Sequence, residues 1–291
     1  MLPYVLTCAV GAYTYAGTAT TLKVAHKLIC DVGDPYFGQV VLGLHLDGAN
    51  GGTTFTEVKG QSVTRVGTVT TSTTQAKFGT ASAVFSSAST DALFIPASGS
   101  YTFTGDYTFE AWGNTTTIAE SWNAFFNAEN NSGAGALYVN SDTLRLFGFG
   151  GIGSILHQNL VSANVWFHVA VVRSAGVVTT YLDGVQSNTS LNQPSSYQIA
   201  AAGFVIGASD TAGTESFAGW IDDVRVSAVA RYTGNFTPPT KAFPGGGYYL
   251  TGNVATLKVA RRLACAAGAY TYAGTATTLK LARKLALSAG A

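Results

Sequence analysis

No run of apolar residues in this 291-residue chain approaches the ~18 that a membrane-spanning helix needs, although 47% of it is hydrophobic. No membrane span is expected. Charge is scarce too: 11% of residues are Asp, Glu, Lys or Arg, so much of so apolar a surface should be covered by neighbouring subunits. The three cysteines are an odd number, which gives no disulfide framework. They read better as small apolar side chains at equivalent strand positions. The first residues lack the basic segment of a secretory signal. Nearly the same residues recur at 263–272, where no signal could act. Residues 1–37 are therefore expected to be structure, and secretion by a classical signal is not expected. The chain also lacks a nucleophile elbow, a phosphate-binding loop and a Cys/His zinc cluster.

Acid is absent from the last part of the chain. Residues 241–291 hold seven Lys/Arg and no Asp or Glu, whereas 38–240 hold seven against thirteen, a balance of −6. A basic tail can signal nucleic acid, but these charges recur at fixed strand positions without a recognition motif. An acidic protein surface is the expected partner, and nucleic acid is not.

What is present is a repeat. GAYTYAGTATTLK runs from Gly11 to Lys23 and returns from Gly268 to Lys280, 257 positions later. The pattern Y-x-x-x-G-x-x-A-T-L-K-V-A-R-R-L beginning at Tyr248 starts again at Tyr270, a period of 22 residues. In Leu279–Leu287 the large apolar residues are every second one, broken by Arg283, which predicts strands. Tyr13 and Tyr15 alternate in the same way. Three short strand units cannot stand alone, so they should pair with each other or with strands of other subunits. His26, Arg261 and Arg283 place a basic group on the apolar face of each unit. Such a group could meet a bound anion or a partner's carboxylate. It could equally lie at a strand edge and reach solvent along its stem.

Between the repeats, Val41, Leu42, Leu44 and Leu46 form a first strand, and turn-rich stretches then separate short alternating runs. Tyr107, Phe109 and Ala111 alternate with Thr108, Glu110 and Trp112. Trp166–Val172, Val177–Leu182, Phe204–Ile206 and Trp220–Val226 are further strands, and Asp183-Gly184 is a hairpin turn signal.

At LHLDGANGGTTFTE (44–57), KFGTASAVF (77–85), GDYTFEAW (105–112), WFHVAVVR (166–173), YLDGV (181–185), GWIDDVRVS (219–227) and ARYTGNFTPPT (230–240), the segment 38–243 resembles the laminin-G-like, concanavalin-A-like jelly rolls, and among them those of tailed-bacteriophage virions. The flanking 22-residue units resemble repeats of phage structural proteins. The fold expected is all-β: a jelly-roll sandwich at 38–243 inserted between short β-repeat segments at 1–37 and 244–291. The resemblance implies a sugar- or protein-binding history and, in many members, one calcium ion, for which the matching positions are Asp47, Asp222 and Asp223, with loop carbonyls near Gly48. The alternative is that Asp47 shapes a turn and the Asp pair lies at a solvated strand edge.

Glycan binding needs an aromatic platform beside hydrogen-bonding side chains. Trp122, Asn123, Asn127 and Asn130 could supply both; alternatively the aromatics of this stretch fill the core behind a polar hairpin tip. A glycoside hydrolase is disfavoured, because hydrolysis needs two acids about 5–10 Å apart and Glu110-Ala111-Trp112-Gly113-Asn114 carries no second acid at matching spacing. The function expected is a non-enzymatic phage virion protein, a capsid decoration or tail-fibre component exposed on the particle. It would be a homo-oligomer, with a trimer favoured. The repeats, marked by Tyr13, His26, Tyr248, Arg261, Tyr270 and Arg283, would join it to itself and to other virion proteins, and the sandwich would be displayed towards a cell-surface glycan. The rival reading is a carbohydrate-binding adhesin module.

Overall fold

The computed structural model describes residues 30–31, 34, 36–88, 90–97, 103, 105–118, 122–131, 134–148, 153–193, 203–244, 248–251 and 270–273. Apart from a short 3-10 turn at Phe37–Gln39, the regular structure of these residues is all strand. No helix among them is long and apolar enough to cross a membrane. The contacts divide the chain into two units, one of residues 39–243 and one of residues 1–38 with 244–291.

The unit 39–243 is a sandwich of two antiparallel sheets. The first has seven strands in the spatial order β11 (Ile155–Leu160), β10 (Thr143–Phe147), β9 (Ala134–Asn140), β8 (Asn123–Asn131), β15 (Gly203–Ile206), β6 (Ala92–Pro96) and β3 (Thr64–Val66). The second runs β14 (Val185–Asn192), β13 (Val177–Leu182), β12 (Phe167–Ser174), β7 (Tyr107–Thr115), β16 (Gly219–Ser227), β5 (Ser82–Phe85) and β4 (Thr70–Ser72). An eighth strand, β2 (Val40–Leu44), pairs with the C-terminal half of β16.

Alternation explains the layering. Tyr107, Phe109 and Ala111 of β7 and Phe167, Val169 and Val171 of β12 turn inward. They meet Phe125, Phe126, Leu137, Val139, Leu144, Leu146, Phe204 and Ile206 of the seven-stranded sheet in one core. Phe109 bridges the layers, its ring centre 5.4 Å from Phe126 and 5.6 Å from Phe204. Gly113 continues the inward row, where a Cβ would lie 2.3 Å from the Phe125 ring and 2.9 Å from the Phe167 ring, so only glycine fits.

All nine residues of β7 are buried, so its outward face is covered as well. The cover over its first half is the segment after β16, whose Ala230, Tyr232 and Phe236 pack on Ala170, Val172 and Tyr181. The β13–β14 hairpin holds this segment in place. Its two-residue turn, Asp183-Gly184, has φ of 49° and 77°, the left-handed pair that such hairpins prefer, and the Phe236 N–H donates to the Gly184 carbonyl at 2.9 Å. A Cβ on Gly184 would sit 1.9 Å from the Phe236 carbonyl oxygen. Gly184→Ala should therefore lower stability by about 2 kcal/mol or more and speed hydrogen exchange at the Phe236 amide. Unchanged stability and exchange would show that the segment is not held there.

In the other unit the described backbone forms a three-stranded sheet of β1 (Cys30–Asp31), β17 (Tyr248–Thr251) and β18 (Tyr270–Ala273). β17 and β18 pair in parallel, Tyr248 opposite Tyr270 and Thr251 opposite Ala273. Each partner lies one 22-residue period along the chain, so equivalent positions of successive repeats sit side by side. β1 pairs antiparallel with β17, Cys30 opposite Leu250. The other positions singled out in the repeats, Tyr13, His26, Arg261 and Arg283, and the strand expected at 279–287, lie outside the described residues.

Candidate functional site

The outward face of the eight-stranded sheet gathers most of the chemistry. Along β7 the outward residues are Thr108, Glu110, Trp112 and Asn114. His168 of β12 lies opposite Trp112 on one side. On the other side β16 places Trp220 opposite Asn114, Asp222 opposite Trp112 and Arg225 opposite Glu110. A bulge makes that last pairing possible. Asp223 has a φ of 50°, and two residues of β16, Asp223 and Val224, span the place of one on β7. Asp222 and Arg225 thus share the outward face while Val224 and Val226 pack into the core.

One half of this face is closed. The Glu110 side chain has no exposure; Arg225 donates to one of its oxygens from Nε at 2.9 Å and Nη2 at 2.7 Å, and the Tyr232 hydroxyl donates to the other at 2.7 Å. His168 Nε2 is 3.4 Å from Glu110, within ion-pair range but not aligned as a hydrogen bond. Burial alone would raise the Glu110 pKa. The Arg225 charge, His168 and the Tyr232 hydroxyl outweigh it and hold the carboxyl at about 2. The rings of Tyr232 and Phe236 stack 3.5 Å apart above this group.

The other half is different. Trp112 Nε1, Asn114 Oδ1 and Trp220 Nε1 are buried and have no hydrogen-bond partner, and His168 Nδ1 joins them. Buried polar groups are ordinarily paired, so a row of unpaired ones marks a place suited to another molecule's polar atoms. Trp220 is half-buried and gives the row an opening to solvent. Lys77 lies with its Nζ 3.8 Å from the centre of the Trp112 ring, and burial lowers its pKa against the pull of Asp183. Two indole N–H donors and an amide acceptor line this half, and of these residues Trp220 alone is partly exposed, so another molecule's hydroxyls would approach at its ring.

The three carboxylates that the resemblance assigns to calcium are near enough to act on one another. Asp222 is pushed up to about 7, chiefly by burial, against the amides of Phe78 and Lys77 and with help from Asp223 and Asp47. Burial also raises Asp223, against the His45 hydrogen bond of 2.7 Å, and that bond is the first cause raising His45. Each of the three serves as a clasp for backbone. Asp222 accepts from the Lys77 and Phe78 amides at 2.8 and 3.0 Å, Asp47 from those of Thr80 and Ala81, and Asp223 from that of Phe243. Calcium needs about six to eight oxygens around one point. Among the described residues no three His, Cys, Asp or Glu side chains form a group that could hold a metal.

The expected glycan platform lies on the seven-stranded sheet, and the structure disperses it. Trp122 is half-buried at the surface. Asn123 and Asn127 are fully buried, so neither reaches solvent. Asn127 donates from Nδ2 to the Ser209 carbonyl at 2.5 Å. Asn130 lies near the end of β8. Phe125 and Phe126 fill the core.

The family described as the concanavalin A-like lectin/glucanases superfamily, of laminin G type, matches residues 86–233, from just before β6 to just past Tyr232. The chain belongs to this superfamily. Among solved structures, this lectin/glucanase domain is similar to the binding domain of Paraclostridial Mosquitocidal Protein 1, with a TM-score of 0.50 at 13% identity over 67% of this chain and 50% of that one. It is also similar to the receptor binding domain of botulinum neurotoxin C/D mosaic serotype, with 0.51 at 14% identity over 67% and 49%. A third is the botulinum neurotoxin serotype D binding domain, with 0.50 at 14% identity over 66% and 49%. The chain thus spans about half the length of each, and at these identities the likeness is one of fold. No curated protein matches the chain.

The matched span of the lectin/glucanase domain contains β7, β12 and β16, and with them the whole unpaired row. Sequence reasoning missed Trp112, Asn114, Trp220 and His168 as a set. The alternation of β7 puts Trp112 and Asn114 on one face, which was legible. That Trp220 completes the group depends on β16 lying beside β7, which no local pattern carries.

Proposed function

We propose that the protein is a non-enzymatic component of a tailed-bacteriophage particle, a capsid decoration or tail-fibre protein on the outer surface, whose lectin/glucanase domain binds a cell-surface glycan at Trp112, Asn114 and Trp220. The observation that carries the glycan reading is the row of unpaired polar atoms beside two indole rings. Hydroxyls of a sugar would pair with Trp112 Nε1, Asn114 Oδ1 and Trp220 Nε1, and the sugar's apolar face would lie against the Trp220 ring. Support of a general kind comes from the similar folds, which are binding domains; for one of them, from botulinum neurotoxin type C, cell entry is described as dependent upon interaction with two ganglioside molecules. Glu110, the acid of the strand where glucanases carry theirs, is held by Arg225 and Tyr232 under a stacked aromatic cover. That engagement favours binding over hydrolysis. Assembly by the repeats is supported by the parallel pairing of β17 and β18 one period apart, a ladder that further equivalent strands can extend.

A glycan array probed with the full chain tests the first part. Wild type should bind at least one glycan class. Trp220→Ala should weaken that binding about tenfold, the loss of roughly 1.4 kcal/mol, with unfolding temperature unchanged. An array with no signal, or a variant that binds like wild type, would sink the reading.

A further inference from the structure

The opposite face of the sandwich carries a second, separate feature. Along β10 the side chains of Leu144 and Leu146 enter the core, and Thr143, Arg145 and Phe147 face the other way. Arg145 lies opposite Tyr138 of β9 and Leu156 of β11. Its guanidinium carbon is 5.2 Å from the centre of the Trp122 ring and 5.2 Å from that of Phe147. The Trp122 ring meets Tyr138 edge-on at 5.0 Å and Phe147 at 5.8 Å. The cation is thus fixed between two aromatic rings, which orders it without neutralising it.

Arg145 makes no ion pair among the described residues, and its Nε is buried with no acceptor. The carboxylate that approaches this cluster, Glu215, accepts the Tyr138 hydroxyl at 3.0 Å, and burial and that carboxylate raise the tyrosine's pKa. An ordered guanidinium with an unmet donor is the half of a forked pair that a carboxylate completes. The rest of the surface is apolar: Trp122 is half-buried and Leu156, beside Arg145, is 54% exposed.

We propose that Arg145, with Trp122, Phe147 and Leu156, binds a sugar that bears a carboxylate. The guanidinium holds the carboxylate through its terminal nitrogens, and the sugar ring rests on Leu156 and the edge of Trp122. The site is independent of the one around Trp220, since it lies on the other sheet.

The test uses the full chain and D-glucuronate, followed by the indole N–H signal of Trp122 and the Nε–H signal of Arg145 in nuclear magnetic resonance. Glucuronate should shift both signals saturably. Its methyl ester, which keeps the ring and loses the charge, should bind at least tenfold more weakly to the same wild-type protein. Arg145→Gln should abolish the Trp122 shift, and Trp220→Ala should leave it intact. Glucose 6-sulfate separates carboxylate selectivity from plain anion attraction, and should bind more weakly than glucuronate. Unmoved signals, equal shifts with the ester, or sulfate binding as tight as glucuronate would each overturn the proposal. So would a Trp122 shift lost in Trp220→Ala. A neutral glycan that binds at Trp220 while glucuronate leaves Arg145 unmoved would overturn this inference and leave the first reading standing.

Discussion

Arg225→Met should destabilise the sandwich by about 3 kcal/mol at pH 7, because it takes the nearer of two cations from a buried carboxylate and leaves Arg231 at 3.6 Å. Glu110 has no exposed side chain; Arg225 donates to it from two nitrogens, and Tyr232 adds one hydroxyl. Arg225 also lies 3.7 Å from the centre of the Phe243 ring, so its loss loosens the end of the domain as well. The pH dependence separates these causes. In the wild type the folded Glu110 pKa is about 2, below its ordinary 4.5. Its stabilising contribution is therefore complete above 4.5 and is lost as pH falls towards 2. In the variant Arg231, 3.6 Å from the same carboxylate, is the cation that remains, and loss of the Arg225 charge moves the folded pKa upward. The deficit is then greatest at neutral pH and shrinks as acid protonates the stranded carboxyl. Denaturant unfolding at pH 7 and pH 4.5 should show the smaller deficit at the lower pH. Adding Glu110→Gln to Arg225→Met should recover part of the loss, since it removes the buried carboxylate, while Arg231, 3.6 Å away, keeps its charge and its bond to Ser227. A loss below 1 kcal/mol at pH 7, or a deficit equal at both pH values, would mean that the ion pair does not hold this face.

The strands that were legible are those with a simple period. β7 alternates between inward Tyr107, Phe109 and Ala111 and outward Thr108, Glu110 and Trp112, and Asp183-Gly184 carries its turn type in its two residues. In β8 the alternative reading, aromatics in the core, matches Phe125 and Phe126, while the burial of its asparagines was not legible. Asn123, Asn127 and Asn131 look like a polar surface, yet Asn123 and Asn127 are fully buried. A polar side chain can be taken inside when a carbonyl such as that of Ser209 waits for it, and that carbonyl comes from a loop far along the chain. The candidate site escaped the sequence in two ways for the same reason. Resemblance to a family segment makes Asp222 and Asp223 ion ligands. The left-handed turn of the backbone at Asp223 and the contacts of both carboxylates with the amides of Lys77, Phe78 and Phe243 are set by segments far apart in the chain. Trp220 reads only as the start of a strand, because its neighbours Asn114 and Trp112 are set by sheet order. Periodicity reports which face a residue occupies; it does not report what stands beside it.

Deleting residues 244–291 should abolish assembly while the sandwich unfolds at nearly its original temperature. The domain closes just before the cut: the Phe243 N–H donates to Asp223, and its ring lies beneath Arg225. The unit 39–243 contains both sheets and the whole of the main core, so the deleted segment supports little of it. The deletion removes β17 and β18, and with them every strand that pairs with β1 in the described backbone. A three-stranded sheet of such short strands is too small to be stable alone, and on the proposed reading equivalent strands of other copies would complete it. Charge acts in the same direction. The deleted segment holds six Lys/Arg and no acid, so the chain falls from a net +1 to −5. Acidic sandwiches that a basic segment had drawn together would then repel one another. Sedimentation velocity should show the full chain as an oligomer and the truncated chain as a monomer, with thermal unfolding of the sandwich shifted by no more than a few degrees. If the truncated chain still assembles, the sandwich itself carries the intersubunit contact, and the repeats serve some purpose other than joining copies.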